Sequence, residues 1–385
     1  MGSFDDRIAD ALTAIRERGR WRELRPAQLA PAGRIGRDGR GLIDFSSNDY
    51  LGLALHPRLA ERAADWGHAY GSGAGASRLV TGTNAAHLAI EARIAAFKGT
   101  EAALLFASGW QANAAVIPAL LAAVPGAAVF TDRLVHASMH AGLAGVRQHR
   151  FRHNDLAHLA DLLERHGASA PARFIFVESV YSMDGDRADV AALAALATAH
   201  DAVLMVDEAH ATGVLGPEGA GLCHGVPGIG LVMGTFSKAL GSFGAYVACS
   251  RLLQQYLVNA CSGFIFSTAP PPPVLGAIDA ALDLVPTMDA ERAHLTALGD
   301  RLREGLARRG YATAGSTTQI VPAVIGGEAE ALALSARLAE AGMLAAAIRP
   351  PTVPPGTSRL RIALRATHST DDIDALLAAI DGTAR

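Results

Sequence analysis

Five short apolar runs recur along the chain, and each is followed by a polar or glycine-rich loop. They read AALLFA, AAVFTD, RFIFVES, VLMVDEAH and GLVMGTF, and helical patterns such as WQANAAVIPALLAAV lie between them. Strands that alternate with helices predict an α/β domain with a mainly parallel sheet. Functional groups in such a sheet gather just beyond the carboxyl ends of the strands. We therefore expect the loops after these runs to carry the chemistry.

The segments before and after this alternation differ from it. The N-terminal residues Ile8, Leu12 and Ile15 fall on one face of an amphipathic helix. A proline cluster, STAPPPPV at 267–274, interrupts the pattern, and TQIVPAVIG and RLRIALRATH then read as strands among helices. These patterns predict an N-terminal helix and arm at 1–47, a large α/β domain at 48–284 and a smaller C-terminal α+β domain at 285–385.

Composition excludes several classes of protein. Half of the 385 residues are apolar and 18% are charged, which favours a compact enzyme over a disordered chain. A net charge of −3 provides no broad basic surface for nucleic acid. The three cysteines lack C-x-x-C spacing, so we predict neither a zinc site nor a disulfide framework. No secretory signal or bilayer-length apolar run is visible, and we expect a cytoplasmic protein without a membrane partner.

Lysine is almost absent from this chain. Lys98 and Lys238 are its two lysines, against 34 cationic side chains in total, so arginine serves nearly everywhere else. Arginine cannot lose a proton near neutral pH and attack a carbonyl as an amine. Lys238, in the loop TFSKALG, is therefore a candidate for covalent chemistry. Lys98 precedes Gly99 at a predicted helix end, where a cation favours the dipole, and we assign it no catalytic role.

Asp207 and His210 directly follow one of the apolar runs, about thirty residues before Lys238. Each alone fits a turn cap or a core histidine. Together with a reactive lysine they suggest pyridoxal 5′-phosphate, which needs a lysine for its Schiff base and a carboxylate beside its pyridine nitrogen. His210 and Ser182, the latter in ESVYSMDGD, would then lie at the phenolic edge of the cofactor ring.

A phosphate site is predicted where FASGWQAN passes from strand to helix. The N–H groups of Gly109 and Trp110 at the helix start would bind the phosphate, with Thr235 adding a hydroxyl. Serine and glycine are also ordinary N-capping residues, so the alternative of a simple cap stays open here.

Histidine and arginine provide further candidates. DRLVHASMHAG carries His136 and His140; a flat imidazole could stack on the cofactor ring, and His140 is expected on a helix surface. Arginine binds a carboxylate through its planar fork, as an amino-acid substrate requires. Strand alternation in RLRIALR would put several arginines on one face, most of them solvated and one a substrate anchor. The arginines in this region are Arg349, Arg359, Arg361 and Arg365.

Nine motifs in order resemble the α-oxoamine synthases of the fold-type I, pyridoxal-phosphate-dependent superfamily, which belongs with the class-II aminotransferases. They are DFSSNDYLGL, FASGWQAN, DRLVHAS, SVYSMDGD, VDEAHATGVLG, TFSKALG, FIFSTAPPP, IRPPTVP and RLRIALRATH. The resemblance spans nearly the whole chain. It implies a large domain around a mainly parallel, seven-stranded-type sheet, with a smaller C-terminal α+β domain.

The resemblance also implies roles for individual residues. Lys238, His136 and Asp207 would be catalytic, with Lys238 bonded to the cofactor, Asp207 at the pyridine nitrogen and His136 over the ring. The remaining cofactor contacts implied are Ser182 and His210 at the phenolic edge, and Gly109, Trp110 and Thr235 around the phosphate. The implied substrate contacts are Asn48 and Arg361 at the amino-acid carboxylate, His136, and Arg22, Arg349 and Thr352 toward the acyl substrate or the external aldimine. No metal is implied.

The implied reaction is a decarboxylative condensation of an amino acid with an acyl thioester. VDEAHATGVLG and IRPPTVP look most like the biotin-pathway branch, which joins L-alanine to pimeloyl-CoA or a pimeloyl carrier protein. The resemblance further implies a homodimer with active sites at the subunit interface, to which Ser267 and Thr268 could be contributed in trans. The alternatives are a sister synthase that uses glycine or serine, an aminotransferase or lyase on the same fold, and a non-catalytic cofactor sensor.

Overall fold

A computed structural model describes residues 3–381. The first two residues of the predicted N-terminal arm and the last four of the predicted C-terminal domain lie outside the described residues. The helices run as α1 Phe4–Glu17, α2 Pro57–Tyr70, α3 Ala85–Lys98, α4 Gly109–Ala123, α5 Ala137–Gly142, α6 Leu156–Gly167, α7 Val190–Ala199, α8 Arg251–Ala260, α9 Ser262–Ile265, α10 Pro272–Leu284, α11 Asp289–Arg308, α12 Glu328–Glu340 and α13 Thr370–Asp381. The strands run as β1 Gln28–Ala30, β2 Arg34–Arg37, β3 Arg40–Asp44, β4 Ala102–Phe106, β5 Ala128–Asp132, β6 Gln148–Phe151, β7 Arg173–Glu178, β8 Ala202–Asp207, β9 Ile229–Thr235, β10 Ala245–Cys249, β11 Ile320–Gly326, β12 Met343–Leu344, β13 Ala346–Ile348 and β14 Ser358–Ala363.

Seven of these strands form one sheet, in the order β4-β10-β9-β8-β7-β5-β6. Strand β10 pairs antiparallel with both of its neighbours, and the other neighbouring pairs are parallel. Because parallel strands need crossover helices, both faces of this sheet are covered, as the apolar runs predicted. The predicted fold class is confirmed. Two members, β6 and β10, were not singled out by the sequence patterns.

The core lies on both faces of the large sheet. Residues of α4 and α5, such as Val116 and Met139, pack on one face. Residues of α6 and α7, such as Leu159 and Leu193, pack on the other. Burying large aliphatic side chains in this way contributes about 1.5–3 kcal/mol each. The sheet is therefore a rigid support for whatever its strand ends carry.

Two smaller sheets join the chain's beginning to its end. Strands β1, β2 and β3 form antiparallel pairs, and β12 adds to β3 in parallel. Strand β14 lies between β11 and β13. Backbone bonds from Ala363 to Phe45 (2.8 Å) and from Ala366 to Tyr50 (2.7 Å) fix the C-terminal strand against the segment after β3. The domain boundaries drawn from the sequence, at 47/48 and 284/285, stay predictions.

Within residues 3–381, no helix combines the length and the apolar character that crossing a bilayer requires. The same residues contain no group of three or more His, Cys, Asp or Glu side chains placed to hold a metal ion. Cys223, Cys249 and Cys261 are buried free thiols.

Lys98 forms a buried ion pair that its sequence position did not indicate. Its Nζ lies 2.6 Å from Glu208 Oε2, with both side chains fully buried, and it also donates to the carbonyl of Ala220. Burial acts to lower the pKa of Lys98, but the Glu208 carboxylate outweighs it and the net shift is upward. Helix α3 does end at Lys98, with Gly99 in the left-handed conformation (φ 68°). The ammonium group of Lys98 therefore does more than interact with the helix dipole: it also stabilises the loop after β8, through Glu208 and Ala220.

We predict that Lys98→Ala lowers the free energy of unfolding by about 3–5 kcal/mol, because it leaves Glu208 buried without its cation. Urea denaturation followed by circular dichroism measures this. Arg301→Ala is the matched control, since the Arg301–Asp374 pair is 47% exposed on both sides, and its loss should be much smaller. Equal losses in the two variants would contradict the assignment.

Candidate active site

Four strands of the large sheet end in polar residues at one edge. Strands β5, β7, β8 and β9 finish at Asp132, Glu178, Asp207 and Thr235. Glu178 is the direct register partner of Asp207, and Asp207 is that of Met233 in β9. All four polar side chains are buried. The edge predicted from the loops therefore carries a cluster of buried polar groups.

A cavity of about 230 Å³ opens at this edge. Seven of the predicted site residues line it: Gly109, Trp110, His136, Asp207, His210, Thr235 and Lys238. Ser108, Ser138, Glu178, Ala209, Met233 and Ser237 complete the lining. Residues separated by more than a hundred positions in sequence thus meet in one place.

Lys238 lies in this cavity beside His210, with 2.8 Å between Lys238 Nζ and His210 Nε2. Burial lowers the pKa of Lys238 from 10.5 to about 8, helped by Arg361 and opposed by the carboxylates of Asp207 and Glu178. A lysine with this pKa has an appreciable neutral fraction near physiological pH. It can therefore act as a nucleophile or a base.

A chain of hydrogen bonds leads from Lys238 to a buried arginine. Burial, Lys238 and Arg361 hold the pKa of His210 well below its usual range, so the ring is neutral. A neutral ring that accepts from Lys238 at Nε2 carries its proton on Nδ1, and Nδ1 lies 2.6 Å from Tyr50 Oη. Tyr50 Oη donates to Asn48 Oδ1 at 3.0 Å, and Arg361 donates to the same oxygen at 3.1 Å through both Nη atoms. Every link has one donor and one acceptor.

Asp207 is held on both carboxylate oxygens. The backbone N–H of Ala209 donates to Oδ1 at 2.8 Å, and the Asn113 amide donates to Oδ2 at 2.9 Å. The same Asn113 nitrogen donates to Ser138 Oγ at 2.9 Å, and Ser138 Oγ lies 2.8 Å from His136 Nδ1. One fully buried amide therefore fixes both Asp207 and, through Ser138, His136.

Glu178 adds a second buried carboxyl to the cavity. Burial and the neighbouring charge of Asp207 raise the pKa of Glu178 well above its usual range, although Lys238 acts the other way. Its Oε1 has no hydrogen-bond partner within residues 3–381. Burial also lowers the pKa of His136, as do Lys238 and His140, against the effect of Asp207. Both shifts act toward the neutral forms of Glu178 and His136.

The helix start predicted for a phosphate lies at this cavity as well. Ser108 caps α4, its Oγ accepting from the N–H of Gln111 at 3.1 Å. The first helical hydrogen bond runs from Ala112 to Ser108, so the N–H groups of Gly109 and Trp110 stand before it. Ser237 supplies a further exposed hydroxyl, 2.7 Å from that of Thr235. N–H groups at a helix start, together with nearby hydroxyls, form a suitable site for an anion.

The remaining predicted residues lie elsewhere. Ser182, Arg22 and Thr352 line a second, larger cavity of about 700 Å³, to which His136 also contributes. The carbonyl of Ser182, rather than its hydroxyl, accepts from Arg361 Nε at 2.6 Å. Arg349 lines a third cavity of about 190 Å³. Asn48 and Arg361 reach the first cavity only through the hydrogen-bond chain described above.

Arg349 and the two residues predicted to act in trans have partners within the same chain. Arg349 donates to the carbonyl of Gly19 at 2.9 Å, which ties the segment after α1 to the loop after β13. Ser267 Oγ accepts from the Gln111 amide. Thr268 pairs with Ser77 in an isolated bridge.

The expectation that most of the clustered arginines are solvated was wrong. Arg359, Arg361 and Arg365 are all buried, because they contact distant segments of the chain. Arg359 and Arg361 bond to the loop after β7, and Arg365 bonds to the segment after β3. Arg359 pairs with Asp184, and Arg365 with Asp49 at 2.7 Å. Arg361, by contrast, bonds only to oxygens of Asn48 and Ser182 and keeps no carboxylate partner among the described residues.

Sequence reasoning missed Tyr50, Asn113, Ser138 and Glu178. Glu178 had a usable signal, since it ends the run RFIFVES as Asp207 ends VLMVD. The other three lie inside motifs whose neighbours were chosen instead. Nothing in their spacing indicates which side chain faces the cavity.

The model of the family described as aminotransferase class I and II matches residues 40–380. A relative from Gluconacetobacter diazotrophicus, named 8-amino-7-oxononanoate synthase, is 58% identical over all of this chain and 98% of its own length. A relative from Bordetella bronchiseptica, provisionally given the same name, is 61% identical over 99% of this chain and 97% of its own. The chain belongs to the aminotransferase class I and II family, among the 8-amino-7-oxononanoate synthases.

Solved structures agree with this family. Serine palmitoyltransferase from Sphingomonas wittichii superposes with a TM-score of 0.90 at 30% identity, covering 98% of this chain and 96% of that one. An 8-amino-7-oxononanoate synthase from Francisella tularensis superposes with a TM-score of 0.77 at 26% identity, covering 89% and 97%. A further neighbour, 29% identical with a TM-score of 0.89 and coverage of 98% and 97%, is described as SPT with PLP. The enzyme's cofactor is pyridoxal phosphate.

The residues present fit this cofactor. The cavity combines an amine of lowered pKa, a fixed carboxylate and a helix start with free N–H groups. These match the aldehyde, the pyridine nitrogen and the phosphate of the cofactor.

We predict that Asn113→Ala raises the Kd for pyridoxal phosphate about tenfold, because Asp207 and His136 lose their common anchor. Titration of the cofactor's visible absorbance measures this. Asn259→Ala removes a surface amide that bonds only to the carbonyl of Gln255 on its own helix, and serves as the control. An unchanged Kd in Asn113→Ala would show that Asp207 is held adequately by the backbone alone.

We also predict that the cofactor-free protein reacts with pyridoxal phosphate at a rate set by the pKa of Lys238. Below about pH 8 the ammonium form predominates and cannot attack the aldehyde, so the rate should rise with pH and level off above that value. Stopped-flow absorbance measures the rate, and Lys238→Ala should form no covalent adduct. A rate that keeps rising toward the pKa of an ordinary lysine, 10.5, would contradict the lowered value.

Proposed function

We propose that this enzyme condenses L-alanine with pimeloyl-CoA, or with a pimeloyl carrier protein, giving 8-amino-7-oxononanoate, the free thiol and CO2 in biotin biosynthesis. The observation that carries the proposal is identity of 58–61% over essentially the full chain to relatives named for that product. A cavity with a low-pKa lysine beside a fixed carboxylate is consistent with it. We expect the protein to act in the cytoplasm, without nucleic-acid or membrane partners.

Pyridoxal phosphate would supply an electron sink for the bond that breaks at Cα of the amino acid. Lys238 would hold it covalently, Asp207 would keep its pyridine nitrogen protonated, and His136 would stack on its ring. His210 and Ser182 would bond its phenolic oxygen. The phosphate would be bound by Gly109, Trp110 and Thr235.

The protein's own groups would then move one proton and orient two substrates. Asn48 and Arg361 would bind the carboxylate of alanine, since Arg361 keeps no carboxylate partner among the described residues. The amine of Lys238, freed from the cofactor, would take the Cα proton. Cα would bond to the thioester carbonyl carbon as the thiolate leaves, and the carboxylate would depart as CO2. Lys238 would return a proton to Cα, and His136 would polarise the new ketone.

The acyl substrate would occupy the larger cavity, next to the cofactor. Arg22 and Thr352 line that cavity, and Arg349 lies in the adjoining one. We propose a homodimer in which Ser267 and Thr268 complete the partner's site.

A sister reaction is the second candidate, because the solved serine palmitoyltransferase superposes with a TM-score of 0.90. That enzyme's name indicates serine and a palmitoyl group. The chemistry of Lys238 and Asp207 would be the same in both cases. Identity of 30% to it, against 58–61% to the named 8-amino-7-oxononanoate synthases, favours the first candidate.

Thiol release by the cofactor-loaded protein tests the proposal. L-Alanine, glycine and L-serine are crossed with pimeloyl-CoA, acetyl-CoA, succinyl-CoA and palmitoyl-CoA. We expect release with L-alanine and pimeloyl-CoA, and loss of all turnover in Lys238→Ala. Release with a different pair would move the assignment to a sister synthase. Amino-group transfer without thiol release would favour an aminotransferase and overturn the proposal.

A further inference from the structure

The larger cavity carries an excess of cationic side chains. Four arginines line it, Arg22, Arg133, Arg150 and Arg359, against a single acidic residue, Asp184. Asp184 is already paired with Arg359. Burial and the nearby Arg150 lower the pKa of His140, which disfavours its cationic form. The cavity is therefore suited to an anion that the protein itself does not supply.

Two of these arginines lie close together where the last two strands of the large sheet, β5 and β6, run side by side. Arg133 directly follows β5, and Arg150 lies in β6, where it is the register partner of Thr131. Arg150 Nη2 donates to the carbonyl of Arg133 at 2.8 Å, which brings the guanidinium of Arg150 to the Arg133 backbone. No carboxylate pairs with either guanidinium among the described residues, and that of Arg133 forms no hydrogen bond at all there.

The rest of the lining shows what kind of anion fits. Val135, Val353 and Pro354 provide apolar wall, and His136 connects the cavity to the one that holds Lys238. A volume of about 700 Å³ lies within the range of about 300–1,000 Å³ usual for small-molecule sites. An apolar chain that ends in a negative group would fit this cavity. The chain would pack on the apolar residues, and the guanidinium groups of Arg133 and Arg150 would bind the negative end.

We propose that Arg133 and Arg150 form an anion subsite for the acyl donor, which selects a substrate by a negative group that lies away from the reacting thioester. This inference rests on the proposed function, because it assumes an acyl thioester beside Lys238. A carboxylate at the end of the acyl chain has the required chemistry. A phosphate of the CoA or carrier-protein arm would present the same chemistry, and the experiment separates the two sources.

The test compares kcat/KM for three thioesters with L-alanine: pimeloyl-CoA, its monomethyl ester, and pimeloyl-N-acetylcysteamine, which has no phosphate. Wild type, Arg150→Gln and Arg133→Gln are measured, with Arg147→Gln as control. Arg147 is an exposed arginine just before β6 and is not part of the cavity lining. Its substitution by glutamine therefore removes one positive charge outside the cavity. Unchanged cofactor absorbance in each variant shows that the fold and the cofactor site are intact.

We expect the wild type to favour pimeloyl-CoA over the methyl ester, and Arg150→Gln to reduce that preference by about ten- to a hundredfold, the usual effect of losing a charged hydrogen bond. Arg133→Gln should act in the same direction, and Arg147→Gln should leave the preference in place. If a variant instead loses the preference for the CoA thioester over the N-acetylcysteamine thioester, the two arginines bind a phosphate rather than the end of the acyl chain.

Two results are negative in different ways. If the wild type releases thiol from pimeloyl-CoA but neither preference changes in Arg150→Gln or Arg133→Gln, the subsite is overturned and the proposed function stands. If the wild type releases no thiol from pimeloyl-CoA with L-alanine, the proposed function fails, and the subsite fails with it.

Discussion

Three carboxyl groups are buried at one edge of the parallel sheet, and the hydrogen bonds and pKa values of the cavity depend on how they are stabilised. Asp132, Glu178 and Asp207 end three adjacent strands, so backbone register alone brings like charges close together in a poorly solvated place. Each of these three carboxyl groups is stabilised in a different way. Asp132 bonds to His153, whose pKa is raised to about 10 by Asp132 and Asp186 against the effect of burial. Glu178 is displaced toward its neutral form, and Asp207 receives two N–H donors.

The lysine in the cavity depends on this balance. Burial lowers its pKa, and the carboxylate of Asp207 limits that effect, as Glu178 does to the extent that it is ionised. The result is an amine that can exist in either protonation state near neutral pH, which a group that must both take and return a proton requires. The relay through His210, Tyr50 and Asn48 places the amine in a fixed hydrogen-bond direction. The residues at the strand ends thus belong to the sheet and also set the protonation of the reactive lysine.

Much of this arrangement could be predicted from the sequence, and the failures have physical causes. Periodicity identified the strands whose ends carry Asp207 and Thr235, because a buried parallel strand leaves a continuous apolar run. Asn113 was missed because its two hydrogen bonds span 25 and 94 positions, a consequence of how α4 packs and not of any local pattern. Lys98 was interpreted as a helix-end charge because its partner Glu208 is 110 residues away. The burial of Arg359 and Arg361 likewise follows from contacts that span 175 and 313 positions, to Asp184 and Asn48, which alternation within one strand cannot show.

The scarcity of lysine has a practical consequence for the chemical handling of this enzyme. Of its two lysine side chains, one is fully buried in an ion pair and the other lines the cofactor cavity. The protein surface therefore offers no side-chain amine to acylating reagents, amine-coupled supports or lysine-directed cross-linkers. Such a reagent, in the absence of cofactor, would find Lys238 as its accessible lysine, and occupancy of the cavity would remove even that target. Labelling of Lys238 thus becomes a direct readout of whether the cavity is filled.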